Sequence, residues 1–444
     1  MTYRIFVLRK ERGTACLWFG KPKSLAISCV LGFGAAFAQA DTLTLHQAID
    51  IAIQQDPWLQ SSVDQEQSMR ARSQSAQALP DPKLSLGMAN LPVDSFDINQ
   101  EAMTQMVVGL SQQFPAGSTL SLSGSQFNVK ADQSAFARLN RKAQIRQVIS
   151  NVWADMYRYD ATLQVLKINE GLLLNLNESI AGNYSSAYNK VGQQALVNSE
   201  LEIAKIGERS FQVQQALNQT KARLTQYLPQ MASIKHYEFV ELDQSGGAFD
   251  DSNYDFNLLA NHPVVRILDL QHQVSDFDRK IAQQQYKPQW GVNVSYGYRA
   301  EDANGRERAD LTSVGVSVSL PIFSSQRLDA NVKAASSNSS AILYDRDLKL
   351  NELKSQVLSV QADLALLGQR IALYTHTLIP GFQQSTDVAL NAYRSNESGY
   401  RDVIMAQIAQ MNAQIELIQL QSEQTKRRAE FEYLTTQSAE GAQQ

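Results

Sequence analysis

Histidine, cysteine and methionine, the nitrogen and sulfur ligands, are few in this 444-residue chain: five, two and nine. His46, His236, His262, His272 and His376 are scattered, and no pair shares a helical face with Asp or Glu at metal-ligand spacing. His262 stands in Asn261-His262-Pro263, where capping or packing is the commoner use of the residue. Cys16 and Cys29 both precede residue 40, so no thiol exists downstream for a disulfide, a zinc site or a nucleophile. Met88, Met103 and Met106 gather in one stretch. Thioethers at that density suit Cu(I) or Ag(I), but methionine more often fills strand faces and loops. No Gly-rich phosphate loop, Ser-His-Asp order or paired carboxylate stands out. The reading is a non-enzyme, with no catalytic residue, cofactor or metal.

Charge and composition exclude more. There are 40 Lys+Arg against 44 Asp+Glu, a net charge of −4 with no basic excess to meet phosphates. The hydrophobic fraction of 43% excludes wholesale disorder. Residues 1–23 carry Arg4, Arg9, Lys10, Arg12, Lys21 and Lys23 against the single acid Glu11. An apolar run from Leu25 to Phe37 follows and ends in Ala38-Gln39-Ala40. This is the layout of a secretory signal peptide, residues 1–40, with cleavage after Ala40. A lipid-modified Cys29 is the weaker reading, because the apolar run continues past it. Removal takes away six basic residues and one acid, leaving an acidic, cysteine-free chain of net charge −9. With no other long apolar run, only strands could enter a membrane.

The chain is written twice. Pro57 and Pro263, Pro82 and Pro288, and Pro115 and Pro321 are each 206 residues apart, with similar neighbours. The repeats span 41–228 and 255–437, joined by a turn-rich acidic connector, 229–254, with a flexible tail at 438–444. Each repeat reads as a helix, two strands and a long helical hairpin. Strands are expected near 83–90, 105–114, 289–298 and 312–320. Long helices are expected near 128–182, 195–228, 328–380 and 400–436. The segment 118–127 alternates like a strand, but its repeat partner reads as a helix start, and the repeat decides for helix.

The strands alternate with period two. Leu84, Leu86 and Met88, then Val108 and Leu110, then Trp290, Val292, Val294 and Tyr296, then Val314, Val316 and Val318 point one way. Ser, Gly and Asn dominate the other face, which suits a wet lumen better than a packed core. Segments of about ten residues match tilted membrane strands. In the helices, Leu353, Val357, Val360, Leu364 and Leu367 step by three and four, as in a coiled-coil seam. Four strands cannot close a barrel, and open edges cannot face lipid. Three copies supply 12 strands, enough for an open lumen. The expected fold is therefore mainly α with a small β part. It assembles as a homotrimer with a 12-stranded transmembrane β-barrel continued by a periplasmic α-helical barrel.

This order resembles the TolC family of outer-membrane efflux proteins. The resemblance rests on Leu79-Pro80-Asp81-Pro82-Lys83-Leu84-Ser85-Leu86, Val108-Gly109-Leu110-Ser111-Gln112-Gln113-Phe114-Pro115, Asn261-His262-Pro263 and Val314-Gly315-Val316-Ser317-Val318-Ser319-Leu320-Pro321-Ile322-Phe323. It implies a passive conduit in the outer membrane that extends into the periplasm. Its partners would be a periplasmic adaptor (membrane fusion) protein and an inner-membrane pump of the RND type. Residues 79–115 look most like the cation-efflux branch, with metal cations or small toxic compounds as cargo. The alternatives are the outer-membrane duct of a type I protein secretion system and a periplasmic coiled-coil scaffold.

The helical hairpins must turn near Tyr184–Ala195 and Tyr393–Asp402, where Gly192 and Gly399 are natural breakers. By the resemblance these are the tips that dock the adaptor and hold the resting channel shut. The tip and gate candidates are Tyr188, Gly192, Tyr393, Glu397, Gly399, Arg401 and Asp402.

Overall fold

The computed structural model describes residues 42–184, 190–229, 236–237, 254–302, 304–395 and 397–437. The expected signal peptide and C-terminal tail, Tyr188, and most of the connector lie outside these residues. The first repeat holds β1 (Thr42–Leu43), α1 (Leu45–Gln55), α2 (Pro57–Gln77), β2 (Lys83–Ala89), β3 (Gln105–Phe114), α3 (Thr119–Tyr184) and α4 (Lys190–Leu224). Then come β4 (His236–Tyr237) and a 3₁₀ turn at Phe256–Asn261. The second repeat continues with α5 (Pro263–Gln284), β5 (Gln289–Tyr298), β6 (Leu311–Ser319), α6 (Ser325–Leu373), α7 (Ile379–Arg394) and α8 (Tyr400–Leu434).

The repeat length recurs at every early boundary. Helix starts at 57 and 263, strand starts at 83 and 289 and at 105 and 311, and long-helix starts at 119 and 325 all share it. The local causes recur too. Pro57 and Pro263 each open a helix, where a missing N–H is harmless. The residue before each is the N-cap: Asp56 Oδ1 accepts from the Leu59 amide at 3.0 Å, and His262 Nδ1 from the Val264 amide at 3.3 Å. Between α6 and α7 a π-helical turn, Tyr374–Leu378, lies just ahead of Pro380. Proline has no N–H for the next helical bond, and the widened turn absorbs its ring while the helix runs on.

The 66 residues of α3 reach about 100 Å. This helix packs against α2, α4, α5 and α8, while α6 and α7 pack on α5 and α8. Contacts along α3 come in sequence. Ser73 and Glu66 of α2 meet it at the Gly124 carbonyl and Arg138. Leu217 and Leu224 of α4 meet it further on, in a core with Ile145, Ile149 and Trp153. On α5, Asp278 bonds Gln126. On α8, Ser422, Lys426 and Gln407 bond the Ala154 carbonyl, Asp155 and Asn169. Hence α2 and α4 make one column end to end, and α5 and α8 make another. The columns follow the order α2/α4, α3, α5/α8, α6/α7.

The four strands form one antiparallel sheet in the order β2-β3-β5-β6. Each strand prolongs the column at the same place in the helical order. Sheet and helices are thus one continuous wall, four elements wide. A separate parallel pair joins β1 to β4, holding a piece of the connector against the N-terminal strand.

The strand register departs from strict repetition. Leu84 stands opposite Leu110, whereas Trp290, its repeat equivalent, stands opposite Val318 rather than Val316. The two strand pairs differ by one two-residue step.

Candidate functional site

The sheet has two unlike faces. On one, Leu84, Leu86 and Met88 line up through Leu110, Val108 and Met106 to Val294, Tyr296 and Tyr298. Trp290, Val292 and Val294 continue to Val318, Val316 and Val314. All of these side chains are exposed, Leu86 by 75% and Val314 by 72%. A contiguous apolar surface of this kind is far from ordinary for a face in water. On the opposite face Ser85, Gly109, Ser295 and Ser313 make one row, and Lys83, Ser111, Asn293 and Gly315 the next.

Both edges are open. Among the described residues, β2 pairs only with β3 and β6 only with β5. The helical wall ends likewise at α2/α4 and at α6/α7, and exposed apolar side chains such as Trp58, Phe211, Tyr344 and Leu348 sit on those end columns. Unpaired backbone groups on lipid-compatible strands require a partner strand.

At one end of the sheet, Arg299 and Arg308 of the β5–β6 loop reach the β2–β3 loop. Arg308 Nη1 donates to the Glu101 carbonyl at 3.0 Å and Arg299 Nη1 to the Ala102 carbonyl at 3.2 Å. Two strand pairs from different repeats are thereby tied at their tips.

The helical ends hold the gate candidates. Tyr393 lies in the last turn of α7, and Gly399 is the N-cap of α8 with φ −81°, a conformation open to any residue. Gly192 is the third residue of α4. Glu397, Arg401 and Asp402 are exposed. Among the described residues these three make no ion pair within the copy.

The buried contact at this end involves two residues outside that set. Tyr400 is 5% exposed, and its hydroxyl lies 3.0 Å from Ser199 Oγ. Tyr393 meets the Tyr400 ring edge-on at 6.0 Å, in a core with Leu166, Leu173, Ile206 and Ile404. Burial pushes the Tyr400 phenol above its usual range, while the Ser199 bond draws it back. Beside it opens a cleft of about 330 Å³ lined by Asn198, Glu202, Tyr400, Arg401, Ile404 and Met405. A sequence signal for Tyr400 existed. Tyr400, Ile404, Met411 and Ile415 continue one helical seam, which makes the tyrosine a core position rather than a turn residue.

The candidate metal chemistry is placed as well. Met88 and Met106 are paired neighbours on the apolar face, away from the polar one, so they form no thioether line along the polar face. His262 is 1% exposed; its Nε2 lies 3.2 Å from the Tyr433 carbonyl and its ring meets Tyr433 edge-on. With both nitrogens engaged it is a structural cap. Among the described residues no group of three or more His, Cys, Asp or Glu could hold a metal ion. Among them, too, no helix is long and apolar enough to cross a membrane.

Residues 257–435 match the model of the outer membrane efflux protein family. That segment is similar to an outer membrane efflux protein domain. Proteins of this family are passive channels rather than enzymes, set in the outer membrane and reaching into the periplasm. Solved structures share the fold over most of the chain. VceC from Vibrio cholerae has a TM-score of 0.72 at 15% identity, covering 89% of this chain and 96% of its own. CusC, described in connection with transmembrane channel formation, has a TM-score of 0.76 at 14% identity, covering 89% and 92%. The outer membrane channel MtrE of Neisseria gonorrhoeae has 0.70 at 13%, covering 88% of each. No curated protein matches the sequence. The second repeat carries the family match, and the fold likeness extends over both repeats.

Proposed function

We propose that this chain is an outer membrane efflux channel and works as a homotrimer. Three sheets close into a 12-stranded barrel through the outer membrane, and three helical walls close into a periplasmic tube beneath it. The observation that carries this reading is the four-element wall: its sheet has one exposed apolar face, and both of its edges are unpaired. Leu84, Leu86, Met88, Val108, Leu110, Trp290, Val292, Val294, Tyr296, Val314, Val316 and Val318 face lipid, and the Ser/Gly/Asn face lines the lumen.

Cargo reaches the tube from an inner-membrane pump of the RND type through a periplasmic adaptor that docks at the helical tips. The lumen-facing strand positions are mostly neutral and small, which suits a passive duct for metal cations or small toxic compounds without a binding station of its own. Tyr393, Glu397, Arg401 and Asp402, with Gly399 and the first tip at Tyr188 and Gly192, form the gate and docking end. Among the described residues the exposed charges Glu397, Arg401 and Asp402 make no ion pair within the copy, which leaves them to pair across copies or with the adaptor. Purified protein added to a planar lipid bilayer should produce discrete, long-lived ionic conductance. Binding to membranes without any conductance would contradict the duct.

A further inference from the structure

The open edges also specify how copies join, an inference that rests on the trimeric duct. Inside one copy, β3 of the first repeat pairs with β5 of the second, with Leu110 opposite Val294, Ser111 opposite Asn293 and Gln112 opposite Val292. At the seam between copies the roles exchange: β6, the repeat equivalent of β3, must meet β2, the equivalent of β5. We propose that the seam keeps the internal register. Moving each β3 residue on by one repeat, and each β5 residue back by one, places Val316 opposite Met88 of the next copy. Ser317 then faces Gly87, and Val318 faces Leu86.

Three independent observations support this register. First, it carries the apolar face without a break from Val316 and Val318 onto Met88 and Leu86; any one-residue slip would set serines against them. Second, the strand glycines Gly109, Gly291 and Gly315 each lie beneath a side chain of the adjacent strand, Ser85, Ser317 and Asn293, whereas Gly87 on the open edge has nothing within 4 Å. The proposed register supplies Ser317 of the neighbour opposite Gly87.

The third is closure. Across one copy, Leu86 is level with Val108, Val108 with Tyr296, and Tyr296 with Thr312. In the proposed register Thr312 falls level with position 92 of the next copy, six residues further along. Three copies then stagger by about 18 residues over 12 strands. With about 3.3 Å per residue and 4.8 Å between strands, this is a tilt of about 45°, as transmembrane barrels have. A two-residue slip one way demands about 54°, and the other way gives about 35°, the shallow limit. The two strand pairs within the copy already differ by such a step, so the slipped registers are the rivals to exclude.

Disulfide trapping decides between them, in a background carrying Cys16→Ser and Cys29→Ser. Met88 and Val316 lie on opposite edges of the same four-stranded sheet, too far apart to bridge within a copy, so any link joins two copies. Met88→Cys with Val316→Cys should give covalent trimer on non-reducing gels, several-fold above Met88→Cys paired with Val314→Cys or with Val318→Cys. Gly87→Cys with Ser317→Cys tests the same register on the other face, should the first pair fail to assemble. Linking that favours a slipped pair overturns the register and leaves the duct standing. Native trimers with no link in any pair also overturn the register. Loss of the trimer even without cysteines overturns the duct and the register together.

Discussion

The hydroxyls of Ser199 and Tyr400 lie 3.0 Å apart in a buried contact that ties α4 to α8 where the two helical hairpins end. It lies in a core of apolar side chains and ring contacts, and further along the same two helices Arg209 Nη1 donates to Asn412 Oδ1 at 2.8 Å on the exposed side. Opening the tube at its tip by moving one hairpin from the other must break it. Tyr400→Phe keeps the packing and removes the bond, at a cost of about 1 kcal/mol. It should raise the open fraction in single-channel recordings, and Ser199→Ala should do the same. The double variant should add little to either single one.

The exposed pair Arg401 and Asp402 acts differently if it holds copies together. Arg401→Ala with Asp402→Ala should raise conductance, and 1 M salt should mimic the change by screening. Unchanged conductance in bilayers would remove the pair from the gate, leaving Tyr400 in place.

His262 makes the helical body acid-sensitive. Burial pulls its pKa down from 6.5 to about 4, assisted by Lys349 and opposed by the bond to the Tyr433 carbonyl. The folded imidazole is neutral where an unfolded one would gain a proton. Stability from this residue is complete above pH 6.5 and falls as pH drops towards 4, by at most about 3 kcal/mol. His262→Asn retains an N-cap acceptor and cannot titrate. Unfolding midpoints measured from pH 7 to pH 4 in detergent should fall less steeply for the variant than for the parent.

Asp56 occupies the equivalent cap one repeat earlier and adds an ion pair, with Arg141 Nη2 at 2.7 Å. Asp56→Asn preserves the cap and loses the charge, while Asp56→Ala loses both. Chemical denaturation should rank parent, Asn and Ala in falling order, with the Asn-to-Ala step about 1 kcal/mol.

The two sheet faces should respond oppositely to charge. Val294→Arg sits on the apolar face and should cost about 2–4 kcal/mol in lipid, so heat-modifiable trimer should vanish from membranes. Asn293→Asp, the adjacent residue on the other face, should assemble normally and shift conductance towards cations. Equal tolerance of both would mean that neither face meets lipid.

Most of the wall was legible because its signals are local. Prolines at a constant offset mark helix and strand starts. Period-two alternation marks the sheet faces, and the repeat, rather than the Leu120 and Leu122 alternation, correctly reads residues 119–127 as the start of α3. What escaped depends on distance. Ser199 and Tyr400 meet across 201 residues, and nothing local announces a hydroxyl pair in a coiled-coil seam. Gly192 reads as a breaker by type, yet it stands third in α4. The two-residue difference between the strand pairs was equally invisible, because a shift of two preserves every alternation that a sequence displays.

The most direct measurement is the number of copies per particle, from light scattering of the detergent-solubilised protein with bound detergent subtracted. The account requires three, with aggregation once detergent is withdrawn. A single copy that stays dissolved in plain buffer would contradict it.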